Sequence, residues 1–325
     1  MNPYLIGPHT INITSSMGIA VYPGDGTCFD ELSRHADLAM YHAKEQGRNN
    51  YQFYREEMNA RVIARQEIEN DLRRALDEGE LEIHYQPQMN LGSGLLVGAE
   101  ALLRWRDPER GLVLPGEFIT IAEECGLILP IGQWVLNEVC RQSRAWKDAG
   151  LTEIKIAVNC SALQFRDPTL LTTVKDVLSR HQISPAQLEL ELAENIAMHD
   201  AETGILVLHA LKEIGVKLAI DDFGTGYSSL SYLKRFPVDS LKIDHSFVLD
   251  ITTSSDAAAI SQTIMGIGHS LHLGIIAEGV ENIETLNFLR EHQCDEMQGN
   301  YVSRPLPAVE FEQFMRKLVG TCSAP

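Results

Sequence analysis

The sequence predicts an α/β barrel of the (β/α)8 type, and three observations lead there. From Leu81 onward short apolar segments alternate with helical ones, at about 81–86, 95–104, 153–159, 187–192, 216–222, 239–244, 273–278 and 294–298. Eight strands spread over about 240 residues suit a closed barrel better than an open sheet. The stretch Lys217-Leu218-Ala219-Ile220-Asp221-Asp222-Phe223-Gly224-Thr225-Gly226-Tyr227-Ser228-Ser229-Leu230 begins as a buried apolar strand. It delivers two adjacent carboxylates and then turns on two glycines into a new helix. Each of the other strands carries a polar residue near its carboxyl end, where ligands of parallel α/β folds bind.

In chain order, residues 1–54 read as a fragment. Ile11 to Tyr22 is strand-like and Pro23-Gly24-Asp25-Gly26 is a turn. Phe29 to Gln46 is an amphipathic helix with Leu32, Ala36, Ala39, Met40 and Ala43 on one face, ending at Gly47. One strand and one helix cannot bury a core by themselves. Arg55 to Glu78 is a charged linker helix, with Met58, Val62, Ile68, Leu72 and Leu76 at helical spacing. The barrel segment is 81–325. Only Pro87 to Gly94 separates its first two strands, a hairpin loop too short for a parallel crossover, so one of these strands must run against the others. Helices at about 130–149, 168–181, 202–214, 228–235, 255–271 and 282–292 connect the rest.

Charge and cysteine content narrow the function. Among 325 residues, 27 Lys+Arg against 45 Asp+Glu give a formal net charge of -18, which argues against non-specific binding to duplex DNA. A phosphate ester could be held only by cations recruited locally. Cys28, Cys125, Cys140, Cys160, Cys294 and Cys322 show no C-x-x-C pairing and read as free thiols of a reducing compartment. Cytoplasm is the expected location, for this chain alone or as the cytoplasmic part of a larger sensor. No signal peptide opens the sequence and no apolar run is long enough to cross a bilayer, so no membrane contact is expected within it.

The strand-end residues are Gln86, Glu100, Asn159, Glu191, Asp221 with Asp222, Lys242 with Asp244, Glu278 and Gln298. Any one of them alone is explained by a cap or a surface amide. Their convergence on one mouth is not, because neighbouring carboxylates repel unless protonated, hydrogen-bonded or bound to cations. Hard oxygen ligands suit Mg2+ or Mn2+, and two such ions a few ångströms apart form a clamp for phosphodiester hydrolysis.

At these residues the sequence resembles a known family. Glu100-Ala101-Leu102, with Arg104-Trp105 after it, is the EAL signature of cyclic-di-GMP phosphodiesterases. The similarity continues through Tyr85-Gln86-Pro87, Pro115 to Ile128, Val158 to Ser161, Glu191 to Glu194, Asp221 to Leu230, Leu241 to Asp244, Ala277 to Glu281 and Gln298-Gly299. Ser16 to Pro23 and Ala36 to Asn49 resemble the final segments of GGDEF domains, the fold of diguanylate cyclases. Neither the Gly-Gly-(Asp/Glu)-Glu-Phe signature nor the upstream part of that fold is in this sequence, so cyclase activity is not expected; Asp37 and Lys44 read as structural.

The resemblance implies roles residue by residue. Glu100, Asn159, Glu191 and Asp221 are similar to the main metal ligands, with Asp221 bridging two ions and Asp222 and Glu278 completing the second site. Lys242 resembles the group that orients or deprotonates the attacking water, making Lys242, Glu100, Asp221 and Glu278 the catalytic set. Gln86, Leu102, Arg104, Asp244 and Gln298 would bind the dinucleotide, and Glu194 would fix the loop after Asp222. The resemblance implies two divalent cations, Mg2+ or Mn2+, hydrolysis of cyclic di-GMP to linear pGpG, and a homodimer through the barrel and that loop. Ala193 and Asn300 depart from the family's common threonine and aromatic, and bear on rate and affinity. The alternatives are a catalytically weak EAL domain acting as a receptor or protein-interaction module, and another metal-dependent barrel acting on a small carboxylate.

Overall fold

The computed structural model describes residues 4–6, 9–11, 14–47, 49–194, 196, 201–225 and 230–321. The chain divides into two compact units, Met1–Leu72 and Arg73–Pro325.

The first unit contains more than the single strand and helix expected. β1 (Tyr4–Ile6) and β2 (His9–Ile11) form an antiparallel pair, and β3 (Met17–Ile19) pairs in parallel with β4 (Tyr51–Phe53). The predicted strand from Ile11 to Tyr22 is therefore two short strands, with residues 12 and 13 outside the described ones. The helix Phe29–Glu45 is the crossover that makes β3 and β4 parallel, as such a pair requires. Gly18 lets it approach: a Cβ there would lie 1.9 Å from the Ala36 carbonyl oxygen and 2.1 Å from the Met40 nitrogen. A second helix covers Glu56–Glu78.

The second unit is a closed barrel with helices outside it. β5 (Leu81–Asn90), β6 (Leu96–Asp107), a short β7 (Gly111–Val113) on the edge of β6, β8 (Lys155–Asn159), β9 (Leu188–Ala193), β10 (Lys217–Phe223), β11 (Ser240–Ile243), β12 (Gly274–Ala277) and β13 (Glu296–Gln298) follow in sequence. The ring runs β6-β8-β9-β10-β11-β12-β13 in parallel and is closed by β5, antiparallel to both β6 and β13. The short β14 (Leu306–Pro307) pairs with Tyr85 and His84 of β5. β5 is thus the reversed strand that the short connection demanded. Its turn is held by Asn90, whose side-chain oxygen accepts from the Ser93 N–H (2.8 Å) and hydroxyl (2.9 Å), while Gly94 supplies φ 69°.

The strands are not the uniformly apolar runs of a sheet covered on both faces. β9 reads Leu188-Glu189-Leu190-Glu191-Leu192 and is buried throughout. With a period of two, the leucines pack outward under the helices and both glutamates point into the barrel. The inner lumen therefore has two polar layers. In the lower one Lys155 Nζ lies 2.8 Å from Glu189 and 3.6 Å from Glu296, and the Ser240 hydroxyl donates to Glu189 at 3.3 Å. The apolar core lies between strands and helices, with Ile156, Leu188, Leu190, Leu192, Leu218, Leu241 and Ile275 almost wholly buried. Among the described residues, no helix is long and apolar enough to cross a membrane, and five of the cysteines are free thiols.

Candidate active site

The upper layer, at the carboxyl ends of the parallel strands, gathers most of the residues singled out from the sequence. Register does much of the work: Asn159 on β8 stands beside Glu191 on β9, Glu191 beside Ala219 on β10, and Gln86 on β5 opposite Glu100 on β6. Lys242 is fully buried at the centre. Its Nζ lies 2.6 Å from Glu278, 2.7 Å from Glu191, 3.3 Å from Asp221 and 3.6 Å from Glu100.

Glu100 is held from both sides by amides. Asn159 Nδ2 donates to one of its oxygens and Gln298 Nε2 to the other, each at 2.6 Å. Gln298 also donates to Gln86 Oε1 (2.9 Å) and accepts from Gln88 Nε2 (3.1 Å). Gln86 in turn donates to the Ser303 carbonyl at 3.2 Å. Gln88 was not foreseen; its signal was present, since it lies two residues beyond Gln86 on the same face of one strand.

Asp221 and Asp222 are successive residues, which on a regular strand would point to opposite faces. Asp222 instead has φ 54°, a left-handed backbone, and the β10–β11 register shifts between Ile220 and Phe223. Oxygens of Asp221, Asp222 and Glu278 consequently lie within 4.8 Å of one another. Glu194 Oε2 accepts from the Gly224 N–H at 3.1 Å, tying β9 to the segment after Asp222. Residues 226–229 of that segment lie outside the described ones, so the predicted helix 228–235 is described only over Leu230–Leu233.

Asp244 caps the helix His245–Leu249, accepting from the Ser246 N–H at 3.0 Å and from the Ser246 hydroxyl. Arg104 is buried and turns one guanidinium nitrogen back on the Leu103 carbonyl at 2.8 Å. A groove of about 460 Å³ opens beside the carboxylates. Its lining includes Leu102, Asn159, Glu191, Ala193, Asp221 and Asp222, but neither Gln86 nor Arg104. Asn300 is exposed and donates to Glu281 at 3.1 Å.

Four carboxylates around one ammonium leave the site short of positive charge. Burial, with the charges of Asp221 and Glu100 only partly offset by Lys242, pushes Glu278 up to about 8. Burial and the neighbouring carboxylates raise Glu191 well above the usual range against the pull of Lys242. Burial, then Asp221, raises Asp222 to about 6. Glu100 goes the other way: burial opposes it, but Lys242 and the two amides hold it low. Glu191 Oε1 is buried with no hydrogen-bond partner. An orphaned carboxylate oxygen, hard oxygen donors and uncompensated negative charge fit a divalent cation of the Mg2+ or Mn2+ kind.

The barrel with a reversed strand and this acidic mouth define the class. The family model for the EAL domain matches residues 69–305, and the chain belongs to the EAL domain family. The model for the diguanylate cyclase GGDEF domain matches residues 1–50. Among particular proteins, the chain is 48% identical over 306 residues to the bifunctional diguanylate cyclase/cyclic di-GMP phosphodiesterase MucR of Pseudomonas aeruginosa, covering 94% of this chain and 45% of that protein. It is 40% identical over 315 residues to the cyclic di-GMP phosphodiesterase PdeR of Escherichia coli, covering 97% of this chain and 47% of that protein. The chain spans less than half the length of these curated relatives. The solved PaMucR phosphodiesterase in its c-di-GMP complex superposes with a TM-score of 0.74 at 46% identity, covering 75% of this chain and 99% of that one.

Proposed function

We propose that the barrel hydrolyses one 3′–5′ phosphodiester bond of cyclic di-GMP to give linear pGpG. The observation that carries this reading is the convergence of Glu100, Asn159, Glu191, Asp221, Asp222 and Glu278 around Lys242, beside a groove of about 460 Å³. The relatives' activities and the complex of the solved relative support it.

In this reading Glu100, Asn159, Glu191 and Asp221 would hold one divalent cation, and Asp221, Asp222 and Glu278 a second. Mg2+ or Mn2+ there would supply Lewis acidity for attack of water on the phosphodiester. Lys242 Nζ, held as an ammonium by the carboxylates around it, would orient that water. Gln86, Leu102, Arg104, Asp244 and Gln298 orient the substrate, with Arg104 countering phosphate charge once it turns from the Leu103 carbonyl. Glu194 holds the segment after Asp222 through Gly224. Residues 1–54 are the end of a GGDEF domain, 55–80 a linker helix and 81–325 the catalytic barrel, working in the cytoplasm as a homodimer through the barrel and the loop after Asp222.

The test is release of pGpG by purified protein with Mg2+ or Mn2+, beside Glu100→Ala and Lys242→Ala, with nucleotide binding measured in parallel. Metal-dependent product that both substitutions abolish is the expected result. Tight binding without product overturns hydrolysis and leaves a cyclic di-GMP receptor.

A further inference from the structure

Glu100 is held in place by a relay of amides, and the innermost of them is Gln88. Gln88 on β5 stands opposite Gly98 on β6 and Gln298 on β13, and it is fully buried. An ionised carboxylate only accepts, so Gln298 must turn its Nε2 to Glu100 (2.6 Å); the same nitrogen donates to Gln86 Oε1 (2.9 Å). Its oxygen is then left in need of a donor, which Gln88 Nε2 supplies at 3.1 Å. The consequence falls on Gln88, whose own Oε1 is buried with no hydrogen-bond partner among the described residues. Gly98 makes room for that oxygen, since a Cβ there would lie 2.6 Å from it.

A buried acceptor without a donor is unfavourable, and the relay accepts it because only one polarity works. Turning the Gln88 amide over would set its oxygen against Gln298 Oε1. Turning Gln298 over would set an oxygen against Glu100. Without a donor at Gln88, the Gln298 oxygen would itself be orphaned, and the amide would gain by rotating away from Glu100 to find another donor. We propose that Gln88 is a positioning residue for the cation site: by engaging Gln298 Oε1 it keeps the Gln298 amide from turning and so keeps Glu100 aimed at the cation. It acts through Gln298 rather than by contact with substrate or cation. This inference rests on the reading of Glu100 as a cation ligand and adds the group that fixes its orientation.

The test is calorimetric Mn2+ titration, without substrate, of the parent chain, Gln88→Met, Gln298→Ala and the double variant. Methionine has the same length but donates nothing, and it removes the orphaned oxygen together with the donor. The Tm of Gln88→Met in metal-free buffer should therefore stay within about 3 °C of the parent. Its Kd for Mn2+ is expected to rise about tenfold, as on losing a hydrogen bond that orients a ligand. The Mn2+ concentration for half-maximal hydrolysis of cyclic di-GMP should shift by the same factor. Because Gln88 acts through Gln298, the same substitution should add less than about twofold in the Gln298→Ala background. A parental Kd in Gln88→Met, or the full loss repeated in the Gln298→Ala background, overturns the proposal. If Gln88→Met does not fold, Gly98→Ala presses its methyl on the same amide: weakened Mn2+ binding supports the assignment and parental binding overturns it. A parent chain that binds no Mn2+ overturns the cation reading and this inference with it, whereas one that binds Mn2+ without cleaving cyclic di-GMP overturns hydrolysis alone.

Discussion

The Asp222 N–H donates to the carboxylate of its own neighbour Asp221 at 3.0 Å, while a left-handed backbone at Asp222 swings both side chains to the same mouth. Asparagine and aspartate tolerate this conformation because a short polar side chain finds local partners; β-branched residues do not. Asp222→Asn should therefore keep thermal stability within about 0.5 kcal/mol of the parent and lose affinity for Mn2+. Asp222→Val should cost about 1–2 kcal/mol from the backbone alone. Calorimetric unfolding and Mn2+ titration of both variants separate the conformational role from the charge.

Glu100 is positioned by two amides, and removing one should be felt through it. Gln298→Ala is expected to lower metal affinity or kcat/KM by about 10–100-fold, the usual effect of losing a hydrogen bond that orients a ligand. The measurement is the Mn2+ dependence of cyclic di-GMP hydrolysis. A variant matching the parent at every Mn2+ concentration would show that Asn159 alone suffices.

Lys242 is the sole ammonium within reach of Glu100, Glu191, Asp221 and Glu278 among the described residues. Removing one partner of a buried charge cluster typically costs about 3–5 kcal/mol. Lys242→Ala in metal-free buffer should unfold at lower temperature than the parent. Ions that bind the folded state alone stabilise it, so added Mn2+ should raise the Tm of this variant more than that of the parent, even though hydrolysis is lost. No Tm gain in either protein would argue against cation binding among these carboxylates, and equal gains would show that the ions bind where Lys242 does not oppose them.

Asp239 gives a pH prediction away from the site. Lys212 Nζ donates to both its oxygens (2.9 and 2.7 Å), Lys217 Nζ to one (2.9 Å) and the Leu218 N–H to the other (2.9 Å). Burial alone would raise its pKa, but these donors outweigh burial and hold it below the ordinary aspartate value. A carboxylate depressed on folding contributes stability that is fully present above its unfolded pKa of about 3.9 and is lost as pH falls through the folded value. Asp239→Asn should thus be less stable than the parent at neutral pH, by roughly 1 kcal/mol since Lys217 is half exposed, and the difference should vanish in acid. Urea unfolding across that range measures it.

Much of the barrel was legible because its strands are short segments rich in apolar residues at regular spacing, and that one of the first two is reversed followed from the short connection, expected at Pro87 to Gly94 and found at 91–95. Most site residues were legible because they stand at or near the carboxyl ends of short strands; Gln86 and Glu100 were expected there too but lie in mid-strand, because β5 and β6 run longer than the apolar segments that mark them. What escaped notice lay elsewhere along the same strands. Glu189, Ser240, Lys155 and Glu296 form the lower polar layer of the lumen, and the Leu-Glu alternation of 188–192 announced it to anyone reading period two rather than strand ends. β4 was missed because Tyr51-Gln52-Phe53 is only three residues, too short for a periodicity to register. The convergence of Asp221 and Asp222 was expected, but the left-handed turn that achieves it was not, since aspartate carries no such signal by itself.

The reversed strand also changes where the chain enters the barrel. In an all-parallel ring the first strand begins at the floor, remote from the chemistry. Here Leu81 pairs with Trp105, so β5 starts at the catalytic rim and descends. Just before it, Glu80 accepts from the Trp105 indole N–H (3.0 Å) and the Arg106 N–H (2.8 Å), and Arg74 on the preceding helix lies 3.6 Å from Glu80 and 3.9 Å from Asp107. The end of that helix is thus bonded directly to β6, the strand that carries both Glu100 and Arg104. The doorway and the workbench share one wall.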